Sequence, residues 1–412
     1  MKKIFLFILF IYSNPISSNA QWISQPIGTL ENIWDIEFIN GNTGWACGEG
    51  STILKTTNGG MNWVHQQASI SNEILTGIHP VNENIIYCVG YFRAVMKTTN
   101  GGSNWFTLQN NNPWNSYFGV YFLNKDTGFI SGALTYVYKT TNGGITFDSI
   151  SNGSSYKRDF YFKNDMEGLI VGDGAIVNKT TNGGQNWSNI LIKPIFENFR
   201  RISCFNDTCF VVGNEFKVYR TINFGNTWDS VGYVNGADEI YCSKFTSTKI
   251  GYAGGSFGRL FKTTDGGGSW LQQNTNNEPG FFLSIYGYSD SVVWVCGGSV
   301  NGRILYTETG GETLVSVSQS GNNLPNNFKL NQNYPNPFNA QTLIEFDITT
   351  KGNYKFEVYS ILGEKMLEGF DKEFSPGSYS VNLNMNSFSS GIYIYRVTGN
   401  GISLSKTLML VK

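Results

Sequence analysis

The sequence predicts an all-β protein: a seven-bladed β-propeller followed by a small immunoglobulin-like β-sandwich. Composition is the first reason. Of 412 residues, 48 are Gly, 15% are aromatic and only 14% are charged, against about 7% Gly and about 25% charged residues in an ordinary soluble chain. Few charges with many Gly and aromatics suit short strands joined by tight turns, and suit helices poorly. The second reason is a unit repeated seven times at a period near 42 residues. The third is a period-two alternation of apolar and polar residues in the last quarter of the chain. With 29 Lys+Arg against 30 Asp+Glu and no basic run, the chain lacks the electrostatic footprint of a nucleic-acid binder.

The N-terminus reads as an export signal. Lys2 and Lys3 precede an apolar run from Ile4 to Tyr12, and small or polar residues lead to Ser18-Asn19-Ala20. That is the pattern of a secretory signal peptide over 1–20, with cleavage after Ala20. The run is about half the ~20 residues a bilayer span needs, and no later segment approaches that length. The mature chain is therefore expected to have no transmembrane segment.

Residues 21–319 carry the repeat. Lys55-Thr-Thr-Asn-Gly-Gly-Met-Asn-Trp63 recurs from Lys97, Lys139 and Lys179, and with more drift from Arg220, Lys262 and Tyr306, at spacings of 42, 42, 40, 41, 42 and 44. Such a period fits a four-stranded propeller blade. Each unit opens with an apolar run such as Ile33–Phe38, turns, and runs again to a Gly, as in Gly44–Gly48. A third run ends at the Lys-Thr-Thr box and a fourth begins at the Trp. In the box, the Asn side chain is expected to bond backbone N–H groups two residues on. The glycines permit positive φ, and the Trp packs onto the sheet. Asn58, Gly60, Trp63, Asn100, Gly102, Trp105, Asn142, Gly144, Asn182, Gly184, Trp187, Trp228, Asp265, Gly267 and Trp270 are thus expected to be structural. Trp22-Ile-Ser-Gln25 resembles the fourth strands that open at the box Trp, and the last box ends in Leu314. The N-terminal segment should therefore supply the outer strand of the seventh blade and close the ring. The competing reading has Leu314 to Ser318 complete that blade.

The box resembles the Asp-box (BNR) pattern Ser/Thr-x-Asp-x-Gly-x-Thr-Trp, with Asn58, Asn100, Asn142, Asn182 and Asn223 in the Asp place, Asp265 keeping the acid and Thr309 replacing it. The unit as a whole resembles the photosystem II stability/assembly-factor propellers, over about residues 22–319. The resemblance implies the fold; propellers carry many unrelated functions.

Six cysteines form no C-x-x-C pair, and with His65 and His79 as the sole histidines no metal site is expected. Cys204 and Cys209 flank a turn-like Phe-Asn-Asp-Thr, a spacing that allows a hairpin disulfide in an oxidising compartment. Cys47 and Cys296, each before a Gly in similar strands, read as small core residues.

A polar linker is expected over 320–327 and a separate domain over 328–412, a sandwich of about seven strands. Its motifs run Tyr334-Pro-Asn-Pro-Phe-Asn339, Leu362-Gly363, Ser390-Gly-Ile-Tyr393 and a terminal Lys412. In that order they resemble the type A C-terminal sorting domain of the type IX secretion system. The resemblance implies a Bacteroidota-type bacterium, Sec export, and handling by the type IX machinery toward the cell surface or the medium.

Candidate binding residues come from the loops between one blade's outer strand and the next blade's inner strand: Pro113–Phe118, Tyr156–Arg158, Phe196–Arg201 and Pro279–Phe282. The turns before the third strands share that face. Trp114, Tyr117, Phe196, Arg200, Phe281, Arg93, Arg259 and Arg303 are the chosen residues, an aromatic and arginine set typical of recognition surfaces. Enzyme chemistry finds less. Relatives of the Asp-box pattern include sialidases and xyloglucanases, but the seven arginines before the C-terminal domain match no sialidase triad. No Ser-His-Asp set is present, since His65 follows a box and His79 falls in an early turn. Asp35 and Asp159, at equivalent heights on blades one and four, are the one carboxylate pair offered for acid/base hydrolysis, which needs a separation of roughly 5–9.5 Å; blades one and four lie nearly opposite, so a wider gap is expected. The sequence thus predicts a secreted or surface propeller without cofactor, binding a protein or glycan and not nucleic acid. The alternatives are a glycoside hydrolase and a structural adhesion component.

Overall fold

The computed structural model describes residues 22–108, 116–132, 136–151, 156–192, 197–234, 237, 239–273, 275, 280–299, 301–311, 315–321, 325, 327–385 and 388–411. The leader expected over 1–20 lies outside them. Two compact units emerge, Trp22–Gly311 and one beginning at Glu312.

Within the first unit, the described residues form seven antiparallel four-stranded sheets, the blades, numbered here in chain order. Their inner strands are Ile33–Phe38, Leu75–Pro80, Tyr117–Phe122, Lys157–Phe162, Phe199–Phe205, Ile240–Phe245 and Phe281–Gly287. Blade 7 takes its outer strand from the start of the chain. Ile23–Gln25 pairs with Arg303–Thr307, Ile23 opposite Tyr306 and Gln25 opposite Ile304. Trp22 is buried edge-on to Tyr252, 5.9 Å between ring centres. The competing segment goes elsewhere: Val315–Gly321 pairs with Gly377–Asn384 in the second unit. The boundary therefore falls before Val315, and the expected limits at 319 and 320–327 are corrected. Strand pairing, and not the end of the repeat's composition, sets it.

The box turns the chain by a different hydrogen-bond pattern from the one expected. Thr56 Oγ1 accepts the N–H groups of Asn58 (3.3 Å) and Gly60 (2.8 Å) and donates to Asn58 Oδ1 (3.0 Å). Because the threonine already holds the nearby amides, Asn58 Oδ1 reaches the N–H of Asn62, four residues on (3.0 Å). Gly60 has φ +87°, and a Cβ there would land on the Gln25 amide. That amide docks the latch strand into the box: Gln25 Oε1 accepts from Trp63 Nε1 and Nε2 donates to Gly59 O. Gln66 repeats both bonds on Trp105 and Gly101 in blade 2. The box lysines staple neighbouring blades. Lys55, Lys97 and Lys139 donate to Gly101, Gly143 and Gly183 of the following box, each over an aromatic face. Apolar side chains fill the seams between blades, as where Phe38 stacks on Trp294 at 4.0 Å. Such burial is the main stabilising term.

Cys204 and Cys209 lie opposite one another across a hairpin and are joined by a disulfide. Cys47, Cys88, Cys242 and Cys296 are buried free thiols.

The second unit packs two four-stranded sheets around an apolar core that includes Ile344, Phe346, Phe356, Val381 and Tyr395. One holds Val315–Gly321, Gly377–Asn384, Gln341–Ile348 and Lys329–Leu330; the other holds Lys365–Phe374, Gly352–Ser360, Gly391–Gly399 and Ile402–Leu410. Gln341–Ile348 alternates exposed and buried residues along its length, as a half-buried strand must.

Candidate functional site: the axial mouth

Each inner strand carries a register shift near its start: between Ile33 and Asp35, Leu75 and Gly77, Tyr117 and Gly119, Lys157 and Asp159, Phe199 and Ile202, Ile240 and Cys242, Phe282 and Ser284. A bulge adds one residue to the strand and re-aims its side chain. The added positions are Trp34, Thr76, Phe118, Arg158, Arg200, Tyr241 and Leu283, which with Arg201 line a cavity of about 80 Å³.

The walls of this mouth are fixed from outside. Trp34 Nε1 donates to Glu49 Oε1 (3.2 Å), and Tyr91 meets both Trp34 and Phe118 edge-on at 6.0 Å. Arg158 lies 4.7 Å over Phe118 and is gripped by both oxygens of Asp173 at 3.1 Å. Tyr241 donates to Glu239 (2.9 Å) and meets Phe281 edge-on. Arg200 differs: its buried Nε has no hydrogen-bond partner among the described residues. Burial, with Arg158 nearby, holds the Arg200 guanidinium below its ordinary pKa.

Below the mouth runs a charged layer. Asp35 Oδ1 accepts from Arg201 Nη2 (2.6 Å) and Ser284 Oγ (2.7 Å), and Oδ2 from the N–H of Ile78 (3.0 Å). Arg201 Nη1 lies 3.9 Å from Asp159 Oδ1, and Asp159 Oδ2 accepts the N–H of Ile202. One guanidinium thus ties carboxylates of blades 1 and 4 together. Burial opposes its charge, but Asp35, Asp159 and Glu37 together hold Arg201 above its ordinary pKa. Deeper still, a cavity of about 160 Å³ is lined by Glu37, His79, Tyr121, Asp159 and Lys244 among others. Burial pushes the Glu37 carboxyl up to about 8 against the pull of Lys244, and lowers the His79 imidazole to about 4. His79 belongs to an inner strand, Leu75–Pro80, and not to a turn.

Of the chosen binding residues, Arg200 lines the mouth, and Phe281 packs edge-on behind its Tyr241 wall. Arg93 is exposed on a turn, at φ +68°, and Arg259 is half-buried over the Phe257 ring. Tyr117 is a correction: it is fully buried edge-on to Tyr138, because it precedes the bulge and Phe118 takes the axial position. Arg303 is another, buried at the start of the strand that receives the latch. Trp114 and Phe196 lie outside the described residues. Trp34, Tyr241 and Arg201 were not singled out in the sequence. A signal for them exists, since the mouth positions recur at the same near-42 spacing as the boxes.

Residues 14–114 and 111–237 match the family model described as Photosynthesis system II assembly factor YCF48, and residues 332–411 match the secretion system C-terminal sorting domain. Among solved structures, YCF48 bound to D1 peptide superposes with a TM-score of 0.60 at 19% identity, covering 70% of this chain and 97% of that one. YCF48 from Cyanidioschyzon merolae gives 0.58 at 16%, covering 69% and 98%. Virginiamycin B lyase from Staphylococcus aureus gives 0.60 at 10%, with the same coverage of 69% and 98%. At these identities the likeness is one of fold, shared by binding proteins and enzymes alike. No curated protein matches the chain in sequence.

Proposed function

The chain belongs to the Photosynthesis system II assembly factor YCF48 family and ends in a type IX secretion sorting domain; from that premise we propose that it is an exported, non-catalytic propeller that binds a segment of a partner protein at its axial mouth. The observation that carries this reading is Arg200, whose buried Nε has no partner among the described residues and which sits among Trp34, Phe118 and Tyr241. A buried donor without an acceptor costs free energy that a ligand carbonyl or carboxylate returns. Arg, Trp and Tyr also dominate interface hot spots. That one YCF48 structure is solved with a D1 peptide supports a protein segment as the ligand class. Export begins in this reading with removal of the leader after Ala20, and the sorting domain then directs passage to the surface or the medium. The carboxylate pair supports a non-catalytic role, because Asp35 spends both oxygens on Arg201, Ser284 and Ile78.

The test is an immobilised peptide array probed with the mature chain, with polysaccharide hydrolysis measured alongside. Saturable, sequence-selective binding that falls at least ~10-fold in Arg200→Ala and Trp34→Ala, at unchanged melting temperature, is expected. Binding that survives both variants removes the mouth from the proposal. Sugar release lost in Asp159→Asn replaces it with a hydrolase.

A further inference from the structure

A second cleft lies on the flank of blade 1, away from the axis, and its shape follows from how the outer strand ends. In blade 3 the outer strand Asp148–Ser151 stays paired over four positions. In blade 1 the pairing covers only Val64 and His65, with one further bond from Gln66 N to Ile53 O at 2.9 Å. The chain then leaves the sheet, because Gln66 commits its side chain to the box of blade 2. It is caught again at Glu73. There Ser51 N donates to Glu73 O (2.7 Å), and Ser51 Oγ accepts from Glu73 N (2.9 Å). Between the two anchors, residues 67–72 stand off the sheet and enclose a cleft of about 420 Å³ against the Gly50–Ile53 turn. That volume falls within the range of small-ligand sites, roughly 300–1,000 Å³.

The lining is polar and almost uncharged. Among the described residues no Asp, Glu, Lys or Arg lines the cleft, and His65 is its single ionisable side chain. Thr52 is only 6% exposed, and its hydroxyl, which bonds to none of the described residues, is not among the buried unpartnered groups and so stays open to water in the cleft. Gln67, Ser71 and Asn72 add amide and hydroxyl groups at the rim, while Ile53, Ala68 and Ile70 supply an apolar strip. A hydroxyl at the cleft floor that is open to solvent, with amides and hydroxyls at the rim, exchanges water for ligand hydroxyls at little cost, so the cleft suits a ligand that offers hydroxyls. A charged ligand would lose its hydration here and gain no counter-charge. A peptide strand would find only the short outer edge of Val64–His65 to pair with, since the edge of Ile53–Thr56 is already taken by that strand and Gln66. A sugar ring matches both halves of the lining: its hydroxyls meet Thr52, Gln67 and Asn72, and its C–H face meets the apolar strip.

We infer that this flank cleft of blade 1 is a binding site for a neutral saccharide, separate from the axial mouth. Ligand-observed NMR titration of the full mature chain with maltotriose, cellotriose, xylotriose and mannotriose, and with trigalacturonate as the charged control, tests it. Saturable binding of at least one neutral trisaccharide is expected. It should fall at least ~10-fold in Thr52→Val, vanish in Ser71→Trp, which fills the cleft from its exposed rim, and persist in Arg200→Ala. The inference is overturned if none of the four neutral sugars binds at up to ~10 mM, if trigalacturonate binds better, or if binding is unchanged in both cleft variants. A peptide from the array that shifts with Ser71→Trp and not with Arg200→Ala also overturns it, in favour of a peptide groove.

Discussion

At the box corner, blades 1 to 6 repeat one set of atoms: a threonine hydroxyl holding two backbone N–H groups, and an Asn or Asp oxygen holding a third. At the axial end of the inner strands the register is as regular, yet the side chains run Trp34, Thr76, Phe118, Arg158, Arg200, Tyr241, Leu283. Every blade needs the corner to turn its own chain, so six carry the full set and blade 7 keeps its threonine half, Thr307 Oγ1 accepting the N–H groups of Thr309 and Gly311. The mouth belongs to the ring, and each blade contributes a different wall. Within this one chain, repetition marks what folds a blade and divergence marks where the assembled ring can recognise something.

Three substitutions probe that contrast. The largest effect is expected at the axis. Asp35→Ala removes the acceptor of Arg201, Ser284 and the Ile78 N–H, leaving Arg201 with Ser284 Oγ at 3.3 Å and, as its nearest counter-charge, Asp159 at 3.9 Å. Breaking a buried ion pair from one side costs ~3–5 kcal/mol, readable by urea denaturation. A loss under ~1 kcal/mol would mean that the divergent layer does not help hold the ring, and the contrast would need redrawing. At the corner, Thr140→Val leaves the N–H groups of Asn142 and Gly144 without their acceptor. An expected cost of ~1–3 kcal/mol with mouth binding unchanged would sharpen the distinction, and altered binding would blur it. The smallest effect belongs to Asp265→Asn, which gives blade 6 the amide that blades 1 to 5 already use. Hydrogen bonds from Ser269 depress the Asp265 carboxyl to about 2. Its contribution is therefore present above the unfolded carboxylate pKa of ~3.9 and lost as pH falls through about 2. Because the group is largely exposed, stability at pH 7 should change by less than ~0.5 kcal/mol. Melting curves between pH 2 and 4 should lose their dependence on this group. A large change at pH 7 would show that the corners are not interchangeable.

The repeat made the ring legible, since a box that turns the chain recurs with each blade, and Trp22–Gln25 already looked like an outer strand. Side-chain direction at the axis was harder to read. A bulge breaks the alternation that assigns residues to faces, so Tyr117 reads as an exposed loop aromatic while the neighbouring Phe118 holds the axial place. The same shift conceals Arg201 behind Arg200, although Asp35 and Asp159, the carboxylates it bridges, were visible as a pair. Arg303 belongs to the strand that receives the latch, a pairing with residues far away in sequence. Val315–Gly321 left the propeller for a like reason: strand partners are chosen by the fold, and local composition there resembles what precedes it.

The latch also sets a clock. Ile23 finds Tyr306 only after nearly the whole propeller has been supplied, and long-range pairings of this kind are the slow ones. A chain threaded through a membrane from its N-terminus would emerge with its opening strand unpartnered, and six blades could stack while the seventh stayed incomplete. The ring shuts when its last blade arrives. Until then the molecule remains an open and more pliable arc, and closure itself reports that the propeller has been delivered in full.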